Sequence, residues 1–373
     1  DGNVMSLMRH TVANMPSNLT TTGTEFVYVL SKIDQSNGSV MWDVLLNPYT
    51  DAQWTSVGTY HTYANSKYVG LLADMVVDST GNAYVAWGTT GASGWVKYDT
   101  NGSLTASYDR VADTTGEILG RYASKPAVVV LPDDSFFWFQ FVRKNSQDYL
   151  MGSKWDSSGN VIFKNRTLDI SHANGAVNNG SAASNNSAHE RHTGTAVADA
   201  VGNIFLSVNT TVGRILKFNS EGTFIKGTED SFTLLNDEPT LVTNGESIYG
   251  IKSDGDPNAR GKFIKYSNSL VTEATKIGFG YQMKQDAYVD PSSCFVYVAS
   301  VTRQDQAMDY YLGIPSGLLN ANQFSNTTVN SGGARKFLLY RVNNDLKLNA
   351  ASSSCPSSSL TPTPVSPLVM AGN

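Results

Sequence analysis

A short sequence pattern recurs six times along this chain. In each copy a basic residue is followed by a bulky apolar residue and then by Asp, Asn or Ser, and a turn and an apolar stretch come next. The six copies are Lys32-Ile33-Asp34, Lys97-Tyr98-Asp99, Lys154-Trp155-Asp156, Lys217-Phe218-Asn219, Lys265-Tyr266-Ser267 and Arg341-Val342-Asn343. Repetition of this kind indicates several copies of one structural unit, arranged around or along an axis.

The second copy shows the whole repeating unit. Its four short apolar segments are residues 73–78, 83–87, 95–99 and 103–108. Turn signals stand between them, including Gly81-Asn82 and Asn101-Gly102, since Gly accepts a positive φ and Asn can bond its own backbone. Several strands are apolar at consecutive positions, which is typical of strands that are covered on both faces. Each copy is therefore predicted to form a sheet of four antiparallel strands.

Six such sheets predict an all-β fold, a six-bladed β-propeller of four-stranded antiparallel blades. Seven blades and a β-sandwich are the alternatives, but a sandwich would not repeat one strand order six times. We predict a single propeller domain over residues 1–348 and a Ser-, Pro- and Thr-rich tail over residues 349–373. Copy one begins midway and lacks its innermost strand. The tail is expected to supply that strand and close the ring, with a flexible stalk as the alternative.

Two segments resemble a known repeat family. Residues 26–45 (FVYVLSKIDQSNGSVMWDVL) and residues 73–90 (ADMVVDSTGNAYVAWGTT) are similar to the bacterial SBBP-type β-propeller repeats, and residues 196–226 share part of the pattern. The resemblance implies a propeller fold and an extracytoplasmic setting. It implies no catalytic residues.

Composition limits the class of partner. The chain of 373 residues carries 27 basic and 32 acidic residues, a net charge of −5, and only 16% of its residues are charged. This balance predicts no surface for nucleic acid or for an anionic membrane. No apolar run approaches the roughly 20 residues of a membrane helix. Because the chain begins at Asp1 without a signal peptide, a processed product or a fragment is expected.

Sequons and cysteines favour a secreted or cell-surface protein. Candidate acceptors of N-glycosylation are Asn18, Asn37, Asn101, Asn165, Asn179, Asn185, Asn209 and Asn326. The chain has two cysteines, Cys294 and Cys355. An even pair in a secreted protein predicts one disulfide, and two separate thiols are the alternative.

The first candidate site is a histidine-containing segment, residues 171–194. It contains His172, His189 and His192, and three such ligands with an open fourth position could hold zinc. The surrounding Asn, Gly, Ser and Ala residues are typical of a solvated loop, which is the alternative interpretation.

The second candidate is an aromatic segment, residues 47–70. Its ligand-binding candidates are Tyr49, Trp54, Tyr60, Tyr63 and Tyr68. Such side chains suit sugar faces and protein interfaces, because the ring buries area while its polar tip bonds. Local packing of these rings on the propeller is the alternative.

The third candidate is an acidic segment that resembles the start of a calcium loop. Its oxygen-bearing residues are Asp254, Asp256 and Asn258. The EF-hand pattern fails because Ala259 replaces the required Gly and Lys265 stands at the twelfth loop position. An ordinary hairpin turn is the alternative.

These observations predict a binding, adhesion or structural module of an extracellular assembly, which acts through one face of loops. The expected partner is a protein, a glycan or another copy of the chain. The competing class is an extracellular hydrolase or lyase with a metal-assisted site on the same face. No cofactor is predicted, apart from calcium or zinc at the two candidate metal sites. The basic residues of the repeat are expected to be scaffold, with their charges toward solvent.

Overall fold

The computed structural model describes most of the repeats but not several of the connections between strands. The described residues are 3–11, 26–46, 72–88, 92–111, 118–119, 126–144, 147–168, 192–209, 213–228, 240–252, 262–277, 282–290, 295–303, 335–343 and 346. They form strands and turns and contain no helix, hence none that could span a membrane. The chain divides near residue 193 into two compact units, and three sheets belong to each.

The first unit contains the first three sheets. The first sheet consists of β1 (Val4–Thr11), β2 (Phe26–Ile33) and β3 (Val40–Leu46), and the second of β4 (Leu72–Val77), β5 (Ala83–Gly88), β6 (Ala92–Tyr98) and β7 (Leu104–Val111). The third consists of β8 (Ile118–Leu119), β9 (Ala127–Val130), β10 (Phe136–Lys144), β11 (Gln147–Trp155) and β12 (Val161–Thr167). In this third sheet β8 and β9 occupy the same strand position, because they pair with different parts of β10.

The second unit contains the other three sheets. The fourth sheet consists of β13 (His192–Ala198), β14 (Ile204–Asn209), β15 (Gly213–Phe218) and β16 (Phe224–Gly227). The fifth consists of β17 (Thr240–Thr243), β18 (Ser247–Lys252), β19 (Lys262–Ser267) and β20 (Thr272–Ile277), and the sixth of β21 (Gln282–Val289), β22 (Val296–Arg303) and β23 (Arg335–Val342). Strands that follow one another along the chain pair antiparallel in each of them.

The predicted fold class is confirmed: the protein is all-β, and its antiparallel sheets of four consecutive strands are the blades of a β-propeller. Lys32 lies on β2, the middle strand of a first sheet that has three strands among the described residues. That sheet therefore lacks its innermost strand there, as the sequence predicts. The tail that is expected to supply this strand lies outside the described residues, so its role in closure and the domain boundary stay predictions.

The repeated triplet has a defined local structure. In the first five sheets the pairing register shifts at the basic residue and the apolar residue after it, so a β-bulge lies there. The third residue then organises the turn. Asp99 Oδ1 accepts the N–H groups of Asn101 and Ser103 at 2.9 and 2.8 Å, and Gly102 adopts a φ of +82°. The triplet thus specifies both a bulge and a hairpin.

The basic residue also has a constant partner across the sheet. In five sheets the residue directly opposite is aromatic, and these pairs are Tyr84 with Lys97, Phe137 with Lys154, Phe205 with Lys217, Tyr249 with Lys265, and Tyr297 with Arg341. The Nζ atom of Lys97 lies 4.7 Å from the Tyr84 ring centroid, and that of Lys217 lies 5.3 Å from Phe205. Cation–π attraction therefore stabilises the positive charge of the basic residue, which lies on the strand beside the aromatic one.

Successive sheets pack face to face through large side chains. Between the second and third sheets, Trp95 contacts Phe136 and Trp155 edge-on, with ring centroids 5.4 and 5.1 Å apart. In the second unit Phe205 and Ile215 pack with Leu241. Full burial of one such side chain stabilises a fold by about 1.5–3 kcal/mol, so these layers supply most of the stability of each unit.

Each sheet has two distinct edges along the strand direction. At the turn edge, short turns such as residues 78–82 and 99–103 join first strand to second and third to fourth. At the loop edge the remaining strand ends lie side by side, for example Leu72 opposite Gly88. The long connections 12–25, 47–71 and 304–334 all leave and enter strands at the loop edge. The sheets therefore place nearly all variation in connection length on one side.

Candidate functional site

Most of the predicted site residues lie outside the described part of the chain. They are the aromatic candidates Tyr49, Trp54, Tyr60, Tyr63 and Tyr68, the metal candidates His172, His189, Asp254, Asp256 and Asn258, and the cysteines Cys294 and Cys355. His192 is the first residue of β13, where that strand begins at the loop edge. The strands thus place His192 and the ends of the aromatic segment at the loop edges of their own sheets.

The basic residues of the repeat do not all point to solvent, and this expectation is wrong for Lys32 and Lys154, which are 5% and 8% exposed. Lys32 Nζ donates to the Thr100 carbonyl oxygen at 3.3 Å, in the turn between the third and fourth strands of the next sheet. Lys217 Nζ donates to the Asn268 carbonyl at 2.7 Å in the same way. Turn carbonyls that lack a backbone partner attract the ammonium groups, so these lysines link neighbouring sheets.

The aspartate that opens the first turn of the second sheet is a buried acceptor. Asp78 accepts the N–H groups of Thr80 and Asn82 at 3.1 and 2.9 Å, the Asn82 amide at 2.8 Å and the Thr80 hydroxyl at 2.8 Å. Lys97 Nζ lies 3.7 Å from its second oxygen. The carboxylate is thus fully engaged in holding the turn, and it is not available as a catalytic base.

The innermost strands are joined by side-chain oxygens at one repeated position. Asp74 Oδ2 accepts the Val128 N–H at 3.3 Å, and Thr195 Oγ1 accepts the Leu241 N–H at 3.0 Å. Asp74 and Thr195 both lie four residues before the aspartate that opens their turn. Each unit thus has an example of this bond, which joins one sheet to the next through its inner strand.

A polar group lies on the outer strands where the second and third sheets meet. Tyr108 OH donates to Asn165 Oδ1 at 3.2 Å, and Lys164 Nζ lies 4.7 Å from the Tyr108 ring centroid. The Asn165 N–H donates to Ser153 Oγ at 2.9 Å, and its φ is +51°. These bonds engage the side-chain carbonyl oxygen and the main-chain N–H of an exposed asparagine.

The sequons divide between described and undescribed residues. Asn37, Asn101 and Asn165 are exposed, and the first two occupy the same place in the turns of the first and second sheets. Asn209 is the last residue of β14. The other four, Asn18, Asn179, Asn185 and Asn326, lie outside the described residues. Three sequons are therefore exposed among the residues whose exposure the structure describes.

The shifted acid–base groups keep their ordinary charge at neutral pH. Hydrogen bonds from Ser36 lower the pKa of Asp34, and hydrogen bonds from Asn160 lower that of Asp156. Burial raises the pKa of Tyr98 to about 12. None of these three groups changes charge near pH 7, so none is suited to proton transfer there. Within the described ranges, no three His, Cys, Asp or Glu residues lie together as a metal site.

Comparison with known proteins gives structural matches alone. No protein-family model and no curated protein matches the sequence, so the SBBP resemblance stays a prediction. A protein of unknown function from Bacteroides caccae is 9% identical, covers 91% of this chain and 93% of its own, and has a TM-score of 0.45.

Two further matches are an enzyme and a viral protein. An ulvan lyase from a new family of polysaccharide lyase is 11% identical, covers 78% of this chain and 71% of its own, and has a TM-score of 0.44. A neuraminidase-like protein of A/little yellow-shouldered bat/Guatemala is 9% identical, covers 79% of this chain and 90% of its own, and has a TM-score of 0.42.

Proposed function

We propose that this protein is a secreted or cell-surface propeller that acts as a binding, adhesion or structural module of an extracellular assembly, through the loop edge of its sheets. The observation that carries the proposal is the contrast between the two edges. At the turn edge the connections are short and bonded internally, whereas the long segments 47–71 and 304–334 start and end at the loop edge. Long connections on a rigid β scaffold are the usual location of recognition surfaces.

The polar groups of the turn edge support this assignment. Asp78 and Lys97 bond each other and their own sheet, and Lys32 bonds the neighbouring turn. These charged groups bond within and between the sheets, so they are unsuited to binding an outside partner. The aromatic segment, by contrast, joins Leu46 to Leu72 at the loop edge, and its Tyr and Trp residues suit a glycan or a protein surface.

Glycosylation forms part of the same proposal. Asn37, Asn101 and Asn165 are exposed, and all three lie at the turn edge or on an outer strand. Glycans at these positions would leave the loop edge of each sheet uncovered. These three sequons are therefore compatible with binding through the loops, whereas Asn18 and Asn326 lie in connections that start and end at the loop edge.

The second candidate is an extracellular hydrolase or lyase that uses a metal on the same edge. The observation in its favour is the position of His192, which begins β13 at the loop edge. His172 and His189 would then complete a zinc site with one open position. A partner protein or glycan would still approach from the loop edge, so the metal is the feature that separates the two functions.

The decisive experiment compares matched variants at the two edges. The purified protein is applied to a glycan array and to analytical sedimentation, as are a Trp54→Ala/Tyr60→Ala variant and a Ser158→Ala control in an exposed turn. We expect glycan binding or self-association to weaken by about tenfold or more in the first variant and to stay unchanged in the control.

An equal effect of both variants would contradict the loop edge as the binding surface. Elemental analysis of the same preparations tests the enzyme. Stoichiometric zinc that disappears in a His189→Ala/His192→Ala variant would favour the hydrolase or lyase instead.

A further inference from the structure

The second and third sheets face each other with matching rows of side chains. Ala86 and Trp95 of the second sheet pack in one cluster with Val128 and Trp138 of the third. Ser93 lies two residues before Trp95 on β6, and side chains two apart share a face of a strand. Gln140 lies two residues beyond Trp138 on β10, again toward the loop edge. Ser93 and Gln140 therefore form the next row of this interface.

This row is polar, although it is fully buried. Ser93 and Gln140 are each 0% exposed. The Ser93 hydroxyl and both polar atoms of the Gln140 amide have no hydrogen-bond partner in the structure. The same is true of the indole N–H groups of Trp95 and Trp138, in the row beside them. A buried polar group without a partner costs about 1–3 kcal/mol, so four such residues on one interface require an explanation.

The row also contains a glycine. Gly88 is the cross-strand partner of Ser93 and contributes no side chain. On the facing sheet, β9 pairs with β10 as far as Phe139, and β8 pairs again from Val142. Gln140 thus lies next to the last residue of β10 whose pairing with β9 is described.

We infer that ordered water binds between the second and third sheets and bridges Ser93, Gln140 and the indole N–H of Trp138. Water can accept from an indole or amide N–H and donate to the Gln140 carbonyl oxygen, which satisfies both sides of this mixed set. An anion is disfavoured, because the buried Asp74 carboxylate lies on the same face of the second sheet. A larger ligand is disfavoured because the row has no exposure to solvent.

The direct test is a crystal structure of the whole chain at a resolution that shows water. We expect an ordered water within hydrogen-bonding distance of both Ser93 Oγ and the Gln140 side-chain amide. A dry contact, or a direct bond between Ser93 and Gln140, would overturn the inference.

Thermal unfolding of matched variants gives a second test. Ser93→Ala and Gln140→Met should each lower Tm by about 2–4 °C, because each leaves the water and the remaining partner poorly bonded. The double variant should lower Tm by no more than the larger single change, since both residues act through the same water. Ser107→Ala, an exposed hydroxyl on β7, is the control and should leave Tm unchanged. Additive shifts, or a higher Tm for Gln140→Met, would contradict a shared water.

Discussion

The first hairpin turns of the second and third sheets have the same backbone but different residues. In one, Asp78 N–H bonds Asn82 O at 3.0 Å and Gly81 N–H bonds Asp78 O at 3.0 Å. In the other, Leu131 N–H bonds Ser135 O at 2.8 Å and Asp134 N–H bonds Leu131 O at 2.9 Å. Leu131 thus replaces the turn aspartate, and Asp134 replaces the turn glycine.

The replacement places a carboxylate at the boundary between the two sheets. Asp134 takes the left-handed conformation at a φ of +59°, where Gly81 has +88°. Its carboxylate accepts the N–H and the hydroxyl of Ser79, in the turn of the neighbouring sheet. One turn is therefore stabilised by its opening aspartate, and the other by the bonds from Ser135 to Asp133 together with a link to its neighbour.

The largest effect is expected at the internally bonded turn. Asp78→Ala removes an acceptor of four hydrogen bonds and leaves the Lys97 ammonium without its carboxylate, so the free energy of unfolding should fall by about 3 kcal/mol. Chemical denaturation measures this change. Asp78→Asn keeps an acceptor oxygen and should cost about 1 kcal/mol. If the two variants were equally stable, the acceptor oxygen that asparagine keeps would have no role in the turn.

A smaller effect is expected where the acid links two sheets. Asp134→Gly keeps the backbone conformation available but loses both bonds to Ser79, so the free energy of unfolding should fall by about 1 kcal/mol. Ser79→Ala removes the hydroxyl from the other side. A double-mutant cycle measured by denaturation should show coupling between the two changes. Fully additive losses would mean that Asp134 acts through its backbone alone.

The smallest effect concerns the acid beside Asp134 and depends on pH. Burial raises the pKa of Asp133, but the hydrogen bonds from Ser135 and the charge of Lys154 outweigh it, and the pKa lies below its usual 3.8. A carboxyl group whose pKa is lower in the folded state stabilises that state at every pH above its unfolded pKa. This contribution disappears as the pH falls through the folded pKa.

Thermal unfolding between pH 2 and pH 6 provides the measurement. The stability advantage over Asp133→Asn should be constant above about pH 5 and shrink below pH 3.8. Ser135→Ala should weaken this pH dependence, because it removes the hydroxyl that lowers the pKa. An advantage that persists unchanged to the lowest pH would contradict the assignment.

The repeats could be predicted from the sequence because each turn is specified locally. The Asp99 to Ser103 turn requires only that residue 99 accepts from the next few N–H groups and that Gly102 adopts a positive φ. The pattern of strand and turn therefore follows from nearby residues. The burial and bonding of Lys32 do not follow from nearby residues, because the Thr100 carbonyl that Lys32 bonds belongs to the next repeat, 68 positions away.

The polar groups between sheets were less predictable than the fold, because their partners also lie in a different repeat. Gln140 stands in the strongly apolar strand FFWFQFVRK, which gives one signal of an unusual position. Which groups would surround it depends on the pairing of sheets, and no spacing within the strand contains that information. Asn165 was predicted as a sequon, but its bond to Tyr108 also depends on the packing of two sheets.

The bonds from Asp74 and Thr195 have an evolutionary consequence. In both cases the donor on the following sheet is a main-chain N–H, which every residue except proline possesses. For this one bond, the residue on the following blade can therefore change without a compensating change in the blade before it. These two junctions thus contain a link that tolerates sequence change on one of its two sides.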